Sequence, residues 1–228
     1  MSIIVAIVST RDGVVASDGR RFASAWLENG CVVKPATIES EVFDKTFALD
    51  GNKIVGAFCG LMSFSGQSIA EHIAEIVSPP IPSGAQFAPI VEKIAAEVAR
   101  RLHCVADREV IFACRKLDLL LVAGESLTRS GLCIASVRVH PANSAVKADT
   151  AITRADSSNR YWIYGDDRAV AGARTVFEAN HAPNRDVDFL TRLADQSVRA
   201  AISAAGSHPH GSETACGGQV FLRRTWYA

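Results

Sequence analysis

Six apolar residues, Ile3 to Val8, follow directly on Met1 and Ser2. A run of Ile, Val and Ala with no polar residue at alternate positions has no face to offer to water. As a strand it must therefore be covered on both sides, which demands a layered α/β molecule rather than a single open sheet. The run lacks a basic segment before it and passes straight into Arg11 and Asp12, so it reads as a buried strand and not as a secretory signal. Other apolar runs, such as Leu119 to Ala123, are strand-sized and far too short for a bilayer span. Lys plus Arg (24) balance Asp plus Glu (24) in the 228 residues, which argues against nucleic acid or an anionic membrane as the main partner. The cysteines, Cys31, Cys59, Cys104, Cys114, Cys133 and Cys216, form no C-x-x-C pair and suit neither a zinc site nor a disulfide scaffold. A reducing cytoplasm is the expected location.

The remaining pattern divides into blocks. Ser2–Ser9 and Val14–Ser17 read as a hairpin about Arg11-Asp12-Gly13. A polar stretch from Asp18 to Ser40 reads as irregular. Val42–Leu49 and Lys53–Cys59 read as strands joined by Asp50-Gly51-Asn52. A helix capped by Ser63 or Ser65 is predicted to run to Val77, where the Pro79–Gly84 segment must break it. A second helix spans Phe87–His103, with Ile90, Ile94, Val98 and Leu102 on one stripe. Strands follow at Asp118–Ala123, Leu132–His140, Val146–Thr153 and Tyr161–Tyr164, then helices at Arg168–Asn180 and Val187–Ala205, and a last strand at Gln219–Thr225. No repeat or long linker interrupts this order, so residues 1–228 are expected to form one domain. Strands, two helices, strands, two helices and a strand are expected to stack as helix–sheet–sheet–helix layers.

Several pieces, in order, resemble the proteasome-like N-terminal-nucleophile hydrolases. Ser2-Ile3-Ile4-Val5-Ala6 looks like that family's nucleophile-bearing first strand, and Asp12 to Arg20 looks like its second strand, ending in an acidic and a basic residue. Lys45-Thr46-Phe47-Ala48-Leu49-Asp50 and Lys53 to Gly60 are similar to its lysine-bearing strand and to the strand ending in its oxyanion glycine. Gly165-Asp166-Asp167 stands where a Gly-Ser-Gly-like turn opens the third helix. Glu213-Thr214-Ala215-Cys216-Gly217-Gly218 resembles the acid-x-x-Ser-Gly-Gly segment before the last strand. The similarity is greatest to the divergent bacterial branch, the Anbu-type and betaproteobacterial proteasome homologues. It implies an α+β, four-layer αββα sandwich of two mainly antiparallel sheets, each covered by a helix pair. It also implies peptide or unfolded-protein substrates, a homo-oligomeric ring or helical assembly, and no cofactor.

The chemistry that the resemblance implies is coherent. A Ser hydroxyl needs a base, and an N-terminal amine, titrating near ~7.7–8.0, is neutral often enough at pH 7–8 to accept the proton. Removal of Met1 would put that amine and a hydroxyl on the same residue, Ser2. A lysine beside the hydroxyl favours the alkoxide, and an aspartate holds the lysine charged; Asp18 and Lys45 are the residues expected in these roles. The Gly60 N–H is the expected oxyanion donor, with Arg20, Asp166, Glu213 and Cys216 in support. Lys34 competes with Lys45 as the active-site lysine: it is nearer by ungapped count, but Pro35 behind it would interrupt a strand ladder.

The chain departs from the family pattern at several positions. Ser replaces Thr at the nucleophile and so loses the methyl that restrains the rotamer. Glu213 stands for Asp, Cys216 for Ser, and Asp166 for a supporting Ser. These departures leave two alternatives to a peptidase: a non-catalytic assembly subunit, or an amidase of the same superfamily acting on a small molecule. His208, His210 and Glu213 lack the further spaced ligands a metal site needs, and no metal is expected.

Overall fold

The described residues of the structure, a computed structural model, are 2–23, 26–28, 31–34, 37–78, 81–82, 84–105, 116–127, 129–142, 145–155, 158–180, 186–206 and 216–226. The opening apolar run forms β1 (Ile4–Val8), every residue of which is buried, and turns into β2 (Asp12–Asp18). Ser9 closes the turn: its Oγ accepts the Asp12 and Arg11 amides at 3.1 and 3.3 Å, so a short hydroxyl replaces a backbone acceptor. β1 also pairs antiparallel with β14 (Arg160–Tyr164), and β2 with β15 (Val220–Trp226), giving a four-stranded sheet in the order β14-β1-β2-β15.

A second, five-stranded antiparallel sheet has the order β13-β12-β11-β8-β7. Its strands are β7 (Thr46–Leu49), β8 (Ile54–Gly60), β11 (Leu117–Ser126), β12 (Arg129–Ala142) and β13 (Ala145–Arg154). Asp50, Gly51 and Asn52 join β7 to β8 with left-handed φ of 48°, 66° and 69°, a conformation that Asp, Gly and Asn tolerate better than other residues.

Side-chain alternation assigns each residue to a layer. Ile4, Ala6, Val8 and Val15 meet Val55, Ala57, Cys59, Leu120, Val122 and Ile134 in a core between the two sheets. On the far side of the five-stranded sheet, α1 (Ile69–Val77) and α2 (Phe87–Cys104) bury Ile69, Ile73, Phe87, Ile94, Val98 and Leu102 against Leu119, Leu121 and Val137. On the far side of the other sheet, α3 (Asp167–Ala179) and α4 (Val187–Gly206) bury Ala173, Phe177, Leu190 and Val198 against Ile3, Val5 and Ile7. The fold is the expected four-layer αββα, α+β sandwich. No helix among the described residues is long and apolar enough to cross a membrane.

Local structure corrects several expectations. The stretch from Asp18 to Ser40 is not simply irregular: β3 (Arg21–Ala23) pairs with β6 (Thr37–Ser40), and β4 (Trp26–Glu28) with β5 (Cys31–Lys34). These short ribbons carry no alternating apolar face, so hydrophobic periodicity could not reveal them. The strand expected from Val42 begins only at Thr46, because Val42 is exposed and Asp44 is committed to Thr46, accepting its N–H at 2.8 Å and its hydroxyl at 2.6 Å. Neither Ser63 nor Ser65 caps α1. They belong to a small hairpin, β9 (Ser63–Phe64) with β10 (Gln67–Ser68), and the cap is Ser68. Its Oγ accepts the Glu71 amide at 3.2 Å while Glu71 accepts the Ser68 amide at 2.6 Å, a reciprocal capping box. Replacing Ser68 by Ala should destabilise the protein by about 1 kcal/mol in urea titration, the usual cost of a lost cap. No measurable change would mean that the capping box does not hold the start of α1.

Candidate active site

Asp18 ends β2, and β2 lies between β1 and β15. Its carboxylate is fully buried and accepts donors from four parts of the chain. Oδ1 takes the Ile3 amide at 3.0 Å and Lys45 Nζ at 2.7 Å. Oδ2 takes the Gly217 amide at 3.1 Å and the Arg20 amide at 3.3 Å. Lys45 is likewise fully buried, with both side chains at 0% exposure. Lys45 precedes β7, and its carbonyl accepts the Phe58 amide at 3.1 Å, which anchors it beside β8.

Ser2 is 4% exposed. The amide that follows it shares Asp18 Oδ1 with Lys45 Nζ, so the lysine lies against the Ser2–Ile3 peptide. Ser2, Asp18 and Lys45, separate in the sequence, thus come together. Lys34 lies instead in the β4–β5 ribbon, where it pairs with Trp26, and Lys45 is the lysine that reaches Asp18.

Two glycines set the spacing around this point. Gly60 ends β8 with φ of +90°, and a Cβ there would collide with the Lys116 carbonyl oxygen. That backbone is strained for any L side chain. Gly165, immediately after β14, packs so closely on the first strand that an added Cβ would lie 2.6 Å from the Ser2 carbonyl oxygen.

The supporting residues divide. Arg20 contributes its backbone N–H to Asp18, while its Nε donates to both carboxylate oxygens of Glu41 at 3.0 and 3.2 Å. Glu41 in turn offers its carbonyl to the Gln219 amide at 2.8 Å, which ties this loop to the segment leading into β15. Asp166 is the N-cap of α3, with Oδ1 accepting the Arg168 amide at 3.1 Å. Cys216 is buried beside Gly217 in the core under α3 and α4. Burial first, then the nearby Asp18 carboxylate, push its thiol up to about 12, so it is a neutral thiol at physiological pH. Cys59 is pushed up in the same way, by burial and then by Asp118. Glu213, His208 and His210 lie outside the described residues.

Sequence reasoning missed three contributors: the Ile3 amide, the Gly217 amide and Glu41. A backbone N–H leaves no sequence signal. Glu41 is one of several nearby acids, with Glu39 and Asp44, and is paired to Arg20 only by the fold.

No protein-family model matches the sequence, and no curated protein sequence does. Solved structures do. The Anbu (ancestral beta-subunit) protein of Yersinia bercovieri superposes with a TM-score of 0.58 at 14% identity, covering 98% of this chain and 82% of that one. The helical assembly of the Anbu complex from Pseudomonas aeruginosa gives a TM-score of 0.56 at 14% identity, with 98% and 81% covered.

Asp18 holds three backbone amides as well as the lysine, so its loss orphans more groups than loss of Lys45. Asp18→Ala should therefore cost ~3–5 kcal/mol in urea titration, the range for leaving one buried charge uncompensated, and Lys45→Met clearly less. The reverse order would contradict this account of the pair. At the level of the fold, the chain shares the layered αββα sandwich of the Anbu structures.

Proposed function

We propose that this chain is a proteasome-like peptidase subunit, a single domain over residues 1–228, whose nucleophile is Ser2 after removal of Met1. The observation that carries the reading is the buried Asp18–Lys45 pair sharing one carboxylate oxygen with the amide that follows Ser2. The Lys45 charge favours the Ser2 alkoxide and keeps a neighbouring α-amine neutral. In the proposed reaction the α-amine takes the Ser2 hydroxyl proton, directly or through a water, as Oγ attacks the scissile carbonyl. The Gly60 N–H stabilises the oxyanion; losing one such donor typically costs ~10²–10³ in rate. The C–N bond breaks, the leaving amine recovers the proton, and water releases the acyl group from its Ser2 ester. Arg20, Asp166, Glu213 and Cys216 act as supports. Cytoplasmic location and self-association into a ring or helix complete the proposal, the latter supported by the helical assembly of the Pseudomonas aeruginosa Anbu complex.

A second reading, a non-catalytic assembly subunit, is favoured by one specific feature. Where the family pattern has a Ser hydroxyl, this chain has the buried, neutral Cys216 thiol, a much weaker hydrogen-bond partner for an amine. Intact mass and activity separate the two. The peptidase reading expects native protein to begin at Ser2, to cleave small peptide reporters, and to lose roughly 10³-fold or more in kcat on Ser2→Ala. Met1 retained on essentially all chains would sink it. A ring or helix that fails to react with an electrophile directed at N-terminal hydroxyls would establish the assembly subunit instead.

A further inference from the structure

The facing sheets carry a second set of charged groups, gathered around the buried Asp118. Cys59 of β8, Asp118 of β11 and Arg138 of β12 stand side by side in register. By strand alternation their side chains share the inter-sheet face with Leu120 and Ile134. Asp118 is fully buried; its Oδ1 accepts Arg138 Nε at 2.7 Å, and its Oδ2 lies 3.4 Å from Lys116 Nζ. That second oxygen accepts no hydrogen bond among the described residues. The Arg138 guanidinium also sits 4.8 Å over the ring of Tyr164.

The backbone connects this cluster to the candidate active site from both directions. Tyr164 pairs with Ile4, and the next residue, Gly165, packs on the Ser2 carbonyl. Lys116 presses its carbonyl on Gly60, the proposed oxyanion donor, and Leu117 pairs with Gly60. The cluster thus flanks the space that a scissile bond would occupy.

Among the described residues, two cations, Lys116 and Arg138, share the one carboxylate of Asp118. The acid across the register from Arg138, Asp149, accepts from or pairs with His140 Nε2 at 2.9 Å. Burial of Asp118 makes one end of each cation a fixed anchor, whereas the cations themselves reach solvent, at 39% exposure for Lys116 and 40% for Arg138. A buried acid that engages two half-exposed cations leaves each with further N–H donors beyond the one it holds. A planar guanidinium held at Nε and supported on an aromatic ring is preorganised for a carboxylate.

We propose that Lys116 and Arg138, oriented by Asp118, form a subsite for a carboxylate of the substrate next to the bond that is cleaved. The inference rests on the peptidase reading for the word substrate, but the binding site itself does not depend on Ser2 chemistry. The carboxylate comes from an acidic side chain or from a peptide C-terminus, and the same experiment distinguishes them.

The test uses full-length Ser2→Ala protein and isothermal titration calorimetry with three peptides of otherwise identical sequence. One is neutral with both ends blocked, one carries a single internal Glu in place of Gln with both ends blocked, and one is neutral with a free C-terminal carboxylate. At least one carboxylate peptide should bind about tenfold more tightly than the neutral one, the scale of a charge-assisted hydrogen bond. Lys116→Gln and Arg138→Gln should each reduce that preference severalfold without changing the affinity for the neutral peptide. Arg138→Gln leaves Asp118 short of a partner and can impair folding, so circular dichroism is recorded for both, and Lys116→Gln, at a half-exposed position, decides if Arg138→Gln is unfolded. Equal affinity for all three peptides, or a preference that survives in the folded variants, overturns the subsite. Cleavage by unmutated protein is scored separately. Cleavage without acid preference refutes the subsite alone, whereas acid preference without cleavage supports the subsite and refutes the peptidase.

Discussion

The Asp18 carboxylate is where the architecture converges. It receives the amide after Ser2, the amide of Arg20 beyond β2, the amide of Gly217 before β15, and the ammonium of Lys45 before β7. Taking a carboxylate and an ammonium out of water costs several kcal/mol for each ion, which their mutual attraction and the carboxylate's further hydrogen bonds offset. A well-packed apolar pair of the same volume would hold the sandwich together as well or better. Stability therefore does not explain why the charges are there. What the pair does that Leu and Met could not is fix a positive charge at a defined place beside the first peptide of β1.

That arrangement depends on close backbone approaches at the same end of the sandwich. The Gly165 backbone lies on the Ser2 carbonyl and Gly60 lies under the Lys116 carbonyl, neither leaving room for a side chain. The inner faces of the two sheets are mostly apolar, from Val8 and Val15 across to Val122 and Ile134. The buried charges Asp18, Lys45 and Asp118 sit at or next to strand ends. A low-dielectric core abutting this rim strengthens every electrostatic interaction made there.

Much of this was legible beforehand. Hydrophobic period located β1, β8, β11 and the helices, because each buries a continuous face. The glycine- and asparagine-containing turn after β7 followed from its residue types. The grouping of Ser2, Asp18 and Lys45 came from short matched pieces rather than from periodicity. The N-cap of α1 was misplaced because three serines, Ser63, Ser65 and Ser68, precede the helix, and only the Glu71 partnership distinguishes Ser68. The ribbons between Asp18 and Ser40 were missed because strands of three or four residues are too short to show a clear alternating pattern. Asp118 and Arg138 were passed over because each, read singly, is an ordinary charged residue within a strand.

The amino-acid sequence by itself determined the layers. The six-residue apolar run after Ser2 can be satisfied only by cover on both faces, and the amphipathic helices provide the outer cover. Which polar groups would meet was decided by the tertiary structure. Asp18 and Gly217 are 199 residues apart, and nothing local to either one specifies their hydrogen bond. Strand register does, because it brings the ends of β1, β2, β8 and β11 to one rim, and the cost of an unpaired buried charge then requires those groups to find one another.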